Sequence, residues 1–177
     1  MDGLKMQLSC IREIINTNLY TTPISLISRL YYIFQGAYNR ETGAIQFQFH
    51  DGSILFCDVG ANGEQLALSN QKWQDPFREP LSPINQTYVQ EHGKWCLVDV
   101  SIEEPYSNII GTTLRKVNPI LTQFNKIGGL LFETYEGFQF AFLCESDEGY
   151  FLWQDEVVDL ESGGFTVLEI SHDKFIS

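Results

Sequence analysis

The side chains with the most reactive chemistry to offer in this chain are three histidines and four cysteines. Cys10 would serve as a nucleophile only where a base meets it in space, because the thiolate rather than the thiol attacks. His50, His92 and His172 are the available bases. The constellation with local spacing is His50 with Gln46, Gln48 and Cys57, which a hairpin turning at Asp51-Gly52 would gather on one wet face. A lone histidine beside a turn is far more often ordinary surface than a base. His92 ends a short helix, where the macrodipole favours a cation without any catalytic duty. No G-x-S-x-G or H-E-x-x-H pattern occurs, so no catalytic residue is assigned and an enzyme of unknown type stands third among the functional readings.

Metal and cofactor chemistry fares no better. Cys10, Cys57, Cys96 and Cys144 are widely spaced, with no C-x-x-C and no histidine at ligand spacing, and they read as reduced thiols of a cytoplasmic protein. Glu145, Asp147 and Glu148 lack the alternation, central glycine and distal glutamate of an EF-hand. Gly60, Gly63, Gly128, Gly129, Gly163 and Gly164 make neither a Walker loop nor a dinucleotide fingerprint and read as turns. No metal and no cofactor is expected.

Charge says more. With 23 acidic residues against 11 lysines and arginines the net charge is -12. Nucleic acids and anionic membranes are disfavoured as partners, because phosphate attraction needs Lys and Arg clusters that are absent here. The acids concentrate late, at Glu145, Asp147, Glu148, Asp155, Glu156, Asp159 and Glu161, with Glu103 and Glu104 earlier. A solvated surface explains such a distribution. The functional reading is a negative patch that steers a basic protein partner, with Glu145, Asp147, Glu148, Asp155 and Glu156 as its contacts.

The elements that position these residues are announced by a repeat. Gly43, Ile45, Phe47, Asp51 and Gly52 recur as Gly128, Leu130, Phe132, Glu136 and Gly137 at one constant offset, and Leu66-Ala67-Leu68 is answered by Tyr150-Phe151-Leu152. Upstream, Pro23-Ile24-Ser25 is echoed by Pro105-Tyr106-Ser107. Asp51-Gly52 between alternating apolar runs predicts a two-residue type I′ hairpin, which pairs Phe49 with Ile54, Phe47 with Phe56 and Ile45 with Asp58. In the second hairpin both faces are apolar. Leu130, Phe132, Thr134, Gln139, Ala141 and Leu143 share one, and Leu131, Glu133, Tyr135, Phe138, Phe140 and Phe142 the other. A strand apolar on both faces is normally central. The stripe Tyr135, Phe138, Phe140 and Phe142 otherwise suits a lipophilic pocket or subunit contact.

Leu4, Leu8, Ile11 and Ile15 fall on one stripe and predict an amphipathic helix over 3–18. Ser82-Pro83 and Gly93 bracket a second helix over 83–92. Further strands are expected at 29–35, 94–101, 112–118, 150–154 and 165–171. No stretch is long and apolar enough to span a membrane, and the N-terminal segment, with Asp2 and Glu13, does not read as a secretory signal.

The fold expected is α+β, mainly antiparallel β. Two helix-plus-meander halves, about 1–74 and 82–177, stand in a duplicated, pseudo-twofold arrangement, joined by the proline-rich segment 75–83 and sharing one core as a single domain over 1–177. The function expected is a small acidic cytoplasmic, non-enzymatic module that binds a basic protein as an inhibitor or immunity-like protein would. The alternative is a lipophilic-ligand binder using the aromatic stripe. A homodimer paired through the edge strand 165–171 is compatible with either.

Overall fold

The computed structural model describes residues 3–15 and 17–170. His172, Asp173, Lys174 and the end of the last expected strand lie outside them. The chain runs α1 (Gly3–Ile14), a 3-10 turn (Thr17–Tyr20), β1 (Ile24–Ile33), β2 (Ala44–Phe49), β3 (Ile54–Val59), β4 (Leu66–Ser69), α2 (Pro83–His92) and β5 (Lys94–Asp99). A second 3-10 turn (Tyr106–Asn108) leads to β6 (Leu114–Leu121), β7 (Ile127–Thr134), β8 (Gln139–Glu145), β9 (Glu148–Trp153), α3 (Asp155–Val158) and β10 (Thr166–Val167). These strands make two antiparallel five-stranded sheets, ordered β4-β3-β2-β1-β5 and β10-β6-β7-β8-β9. The fold is thus α+β, dominated by antiparallel sheet.

Both central hairpins turn differently from the expectation, and the difference flips one strand of each hairpin. A type I′ turn would need positive φ at Asp51 as well as Gly52, and Gly52 adopts it while Asp51 does not. The Asp51 carboxylate instead accepts from the Ser53 backbone N–H at 2.9 Å and from its hydroxyl at 2.6 Å. The loop is closed by Phe49 N–H donating to Ser53 O at 3.0 Å and Gly52 N–H to Phe49 O at 2.9 Å. This three-residue loop pairs Gln48 with Ile54, Phe47 with Leu55 and Ile45 with Cys57. A one-residue change of register sends every side chain of the strand to the other face. Leu55 and Cys57 therefore join Ile45, Phe47 and Phe49 in the core, while Ile54, Phe56 and Asp58 face outward.

The second hairpin repeats the correction around Gly137, whose φ is +91°. Phe132 pairs with Phe140, Leu130 with Phe142 and Leu131 with Ala141. Phe140 and Phe142 thereby share the inner face with Leu130 and Phe132, and Ala141 and Leu143 take the outer one. Gly128 and Gly129 lie inside β7 rather than in a turn. A Cβ on Gly129 would collide with the Phe142 carbonyl oxygen across the ladder.

One apolar layer joins the inner faces. Ile27, Phe47 and Leu55 from the first sheet meet Val117, Phe132 and Phe140 from the second, with Ile11 and Ile15 from the N-terminal helical region closing one side. The ring of Phe47 lies 5.4 Å from Phe132 and 5.9 Å from Phe140. The outer face of the second sheet is covered by Val157 and Leu160, and that of the first by Trp73 from the connecting segment.

Strand β5 hydrogen-bonds β1, from Ser28 with Asp99 to Ile33 with Lys94. Residues 94–99 therefore complete the first sheet, although the expectation assigned them to the second half. Their apolar residues gave no indication of which sheet they would extend. Helix α2 forms as expected. The Ser82 hydroxyl accepts from Asn85 N–H at 3.3 Å, and Gly93 ends the helix with φ +75°. The last expected strand shrinks to Thr166–Val167, a short edge of the kind that discourages strand addition.

Candidate functional site

The constellation around His50 comes apart once the three-residue loop is in place. His50 is exposed at the turn, Gln46 is buried on the outer face, and Cys57 is fully buried on the inner one. Cys57 touches the environment of Cys144, and burial pushes both thiols up, Cys144 to about 12, which makes them inert rather than nucleophilic. Cys10 is exposed and all four cysteines are free. His92 lies 4.8 Å from the Tyr88 ring at the end of α2.

The aromatic stripe is split as well. Phe140 and Phe142 are fully buried in the shared core. Phe138 is half-buried and stacks on Trp153 at 5.6 Å. Tyr135, 63% exposed, sits in the hairpin loop away from them. The stripe therefore does not present one exposed face: the Phe140 ring is packed by Phe132, Phe151 and Trp153, and Phe142 is equally buried.

The acidic residues fall into two groups rather than one patch. Glu145, Asp147 and Glu148 form the β8–β9 turn, with Glu145 opposite Glu148, and Asp155 and Glu156 open α3 at the far end of β9. A strand of this length separates the groups by roughly 20 Å. At the far end Glu156 accepts from the Trp153 backbone N–H at 2.8 Å, and nearby Glu104 accepts from the Asn108 side-chain amide at 2.7 Å. Those carboxylates already have donors.

Asp147 and Glu148 of the other group border a cavity of about 370 Å3 on the outer face of the first sheet. Its floor is Leu30 and Ala44, its aromatic walls are Trp73 and Trp95, and its acidic rim is Asp58, Asp147 and Glu148. Each wall has a local cause. Trp95 sits on β5 opposite Tyr32, with the rings edge-on at 5.5 Å, and it is 48% exposed. Trp73 belongs to the connecting segment, whose backbone is pinned where Trp73 N–H donates to Gln46 Oε1 at 2.9 Å. The same segment is tied to β5 by Lys94 Nζ, which donates to Asp75 Oδ2 at 2.8 Å and to Phe77 O at 3.4 Å. Gln46 is fully buried, and its Nε2 has no partner among the described residues.

The rim joins the sheets. Gly43 N–H donates to Gly149 O at 2.9 Å, Asp147 N–H donates to Gly63 O at 3.0 Å, and Thr42 bridges Tyr150. Gly63, at φ +75°, lies directly under the Asp147 carboxylate, where any Cβ would overlap it. Asp58 faces the cavity because of the hairpin register. Burial raises its carboxyl above the ordinary value, with only the Val59 backbone N–H, at 2.7 Å, opposing. Among the described residues no lysine or arginine pairs with Asp58, Asp147 or Glu148. Nor do any three of His, Cys, Asp and Glu converge as a metal cage requires, so the carboxylates ring a volume rather than a point.

Beneath the same rim lies Arg29, 1% exposed. Its Nη2 donates to Gly43 O at 2.9 Å and lies 3.5 Å from Gly149 O, its Nη1 donates to Tyr106 Oη at 2.7 Å, and its Nε donates to Ala44 O at 3.3 Å. Carbonyls and a phenol, rather than a carboxylate, accept from this buried cation at the seam of the sheets.

Of the residues expected to bind a partner, Asp147 and Glu148 thus reach the cavity on the first sheet, while Glu145 lines a smaller one beside Phe165, and Asp155 and Glu156 line an open one beside Pro105 and Trp153. Asp58, Trp73, Trp95 and Arg29 were not foreseen. An aspartate and an arginine inside otherwise apolar strands were the available signals, at Ile54–Val59 and Ile24–Ile33. The tryptophans gave none, since nothing local brings 73 beside 95. No helix of the described residues is long and apolar enough to cross a membrane. Comparison with protein-family models, with curated proteins and with solved structures finds no significant match for this chain.

Proposed function

We propose that this protein is a non-enzymatic binding module of the cytoplasm that engages a basic protein, in the manner of an inhibitor or immunity protein. One observation carries the reading. At a net charge of -12, three carboxylates stand around an aromatic-walled cavity with no lysine or arginine ion-paired to them among the described residues. The desolvation of Asp58 opposes that arrangement in the free protein. A cationic partner offsets that cost, and complementary charge also speeds encounter. The test is retention of proteins from the source lysate on the immobilised chain at low and at raised salt. A basic protein held at low salt and released as salt rises supports the reading. Recovery of none, or of acidic or salt-indifferent proteins alone, rejects it.

The architecture is read here as a duplication with pseudo-twofold symmetry. Its support is that each sheet is a four-strand meander, β1 to β4 or β6 to β9, with a fifth strand beside the first. The two central hairpins also share one loop length and one glycine position, Gly52 and Gly137. Superposing β1–β4 on β6–β9 of an experimental structure tests this. Rotation by about a half-turn with matching register supports it, and a different register rejects it.

A further inference from the structure

The two acidic groups are not equivalent as receptors, and the difference identifies what the cavity takes. At the far end of β9, Glu104 and Glu156 already accept hydrogen bonds, and the Trp153 ring is spent on Phe138 and Phe140. At the first sheet, Trp95 is half exposed, Asp147 and Glu148 are exposed, and Asp58 accepts only from the backbone of its neighbour. Indole faces attract cations through the ring quadrupole, and carboxylates add charge and acceptors. A guanidinium is planar, weakly hydrated and able to stack on a ring while its edge donates to a carboxylate, whereas an ammonium is compact and holds its water. The spread of the carboxylates around a volume suits a flat group of that size better than a bare metal ion.

We infer that this cavity receives the guanidinium of an arginine side chain presented by a basic protein partner, stacked on indole and paired with Asp58, with Asp147 and Glu148 at the rim. The inference rests on the basic-partner reading and adds the residue type and the place. Leu30 and Ala44 beneath would pack the arginine stem, which buries its methylenes while the head stays paired.

The test uses the full chain, labelled for NMR, with the three indole N–H signals assigned by Trp-to-Phe replacement. N-acetyl-arginine amide is titrated in, and the neutral citrulline analogue serves as the control. The expected result is movement of the Trp73 and Trp95 signals with the arginine probe and not with citrulline, while Trp153 stays still. Asp58→Asn should weaken the probe about tenfold or more, the scale of one charge-assisted contact at a partly desolvated site. Asp155→Asn with Glu156→Gln should leave it unchanged. A shift with both probes, or with neither, overturns the inference. So does an Asp58→Asn protein that binds as the parent does while keeping the parent's dispersed spectrum. An arginine-rich peptide separates the two levels. If it binds in a salt-sensitive way that ignores Asp58→Asn but is lost with the Asp155 and Glu156 changes, the basic-partner reading survives and this cavity does not. If it fails to bind at all, both fall.

Discussion

Replacing Arg29 by methionine keeps most of the unbranched stem and removes every donor that this side chain supplies at the seam of the two sheets. Three close hydrogen bonds are lost, from Nη1 to Tyr106 Oη at 2.7 Å, from Nη2 to Gly43 O at 2.9 Å and from Nε to Ala44 O at 3.3 Å. Bonds to a charged group contribute about 1.5–3 kcal/mol each, so the gross loss is roughly 4–9 kcal/mol. Against it stands relief of the desolvation of a guanidinium that is almost wholly buried, which is worth several kcal/mol in real proteins. The acceptors left behind cannot turn to water, because Tyr106 is buried and Gly43 and Ala44 are covered. The net expectation for Arg29→Met is destabilisation by about 2–4 kcal/mol, which at a typical urea m-value moves the midpoint down by about 1–2 M. Equilibrium urea unfolding followed by tryptophan fluorescence and by far-UV circular dichroism measures it. Adding Tyr106→Phe completes a double-mutant cycle, and the coupling should be about 1.5–3 kcal/mol if the short Nη1–Oη bond carries its share. A midpoint within about 0.2 M of the parent would refute the reasoning, since it would mean that the desolvation term cancels the hydrogen bonds altogether.

Three other outcomes are expected. Phe140→Ala removes a fully buried ring between Phe47, Phe132 and Phe151 and should cost about 3–5 kcal/mol in the same urea experiment; a near-neutral effect would return that ring to a ligand pocket. Burial pushes the Tyr20 and Tyr31 phenols from 10.0 up to about 12. A phenol whose folded value is raised holds its proton in the native state after the unfolded chain has lost it, so its contribution is complete below pH 10 and is lost as the pH rises toward 12. Stability measured across that window should fall, and Tyr20→Phe and Tyr31→Phe should each remove on the order of 2 kcal/mol of the fall; an unchanged slope in both would contradict the burial. Asp58 has its carboxyl raised above 3.8, so the proton it holds stabilises the fold at acid pH and that contribution is gone at neutrality. Asp58→Asn should be more stable than the parent at pH 7, by up to about 1 kcal/mol, and lose that advantage below pH 4; greater stability of the parent at pH 7 would show that the carboxylate has a native cation partner.

How much of this was legible in the chain depended on the range of the interaction involved. The Ser82 cap, the Gly93 stop and the Ile11 and Ile15 stripe are local, and α2 and the buried side of the N-terminal region follow from them. Asp51-Gly52 correctly marked a hairpin, and Glu136-Gly137 marked its counterpart. The choice between two and three loop residues is not legible in the dipeptide, since Asp51 accepts from Ser53 N–H in one loop whereas Thr134 Oγ1 accepts from Phe138 N–H in the other. Loop length decided whether Asp58 faced the core or the cavity. The partner of β5 was invisible because strand pairing is chosen by the whole sheet, and the meeting of Trp73 with Trp95 depends on that pairing together with the Lys94–Asp75 tie. Charge was legible as a total but not as a distribution. The strand β9, by its length alone, divides the late acids into two groups.

The cavity and the buried arginine are opposite sides of one wall. Gly43 and Ala44 line the cavity, and their carbonyl oxygens point inward to Arg29. The cation therefore fixes the backbone on which Trp73, Trp95 and the β8–β9 turn converge, while its own charge opposes a second cation outside. Three rim carboxylates against one guanidinium leave the balance negative, so attraction of a cation persists but is weaker than the rim alone would give. The two roles separate in Arg29→Met examined well below its unfolding midpoint. If positioning dominates, the indole signals of Trp73 and Trp95 move toward each other's solvent-exposed values and the arginine probe binds less tightly. If the wall holds its shape without the guanidinium, removing the opposing charge makes the probe bind more tightly, and the hydrogen bonds of Arg29 serve stability alone. Carbonyl oxygens in place of a carboxylate favour the first outcome, because Arg29 Nη2 reaches both Gly43 O and Gly149 O and so reinforces the Gly43 N–H to Gly149 O bond between the two sheets.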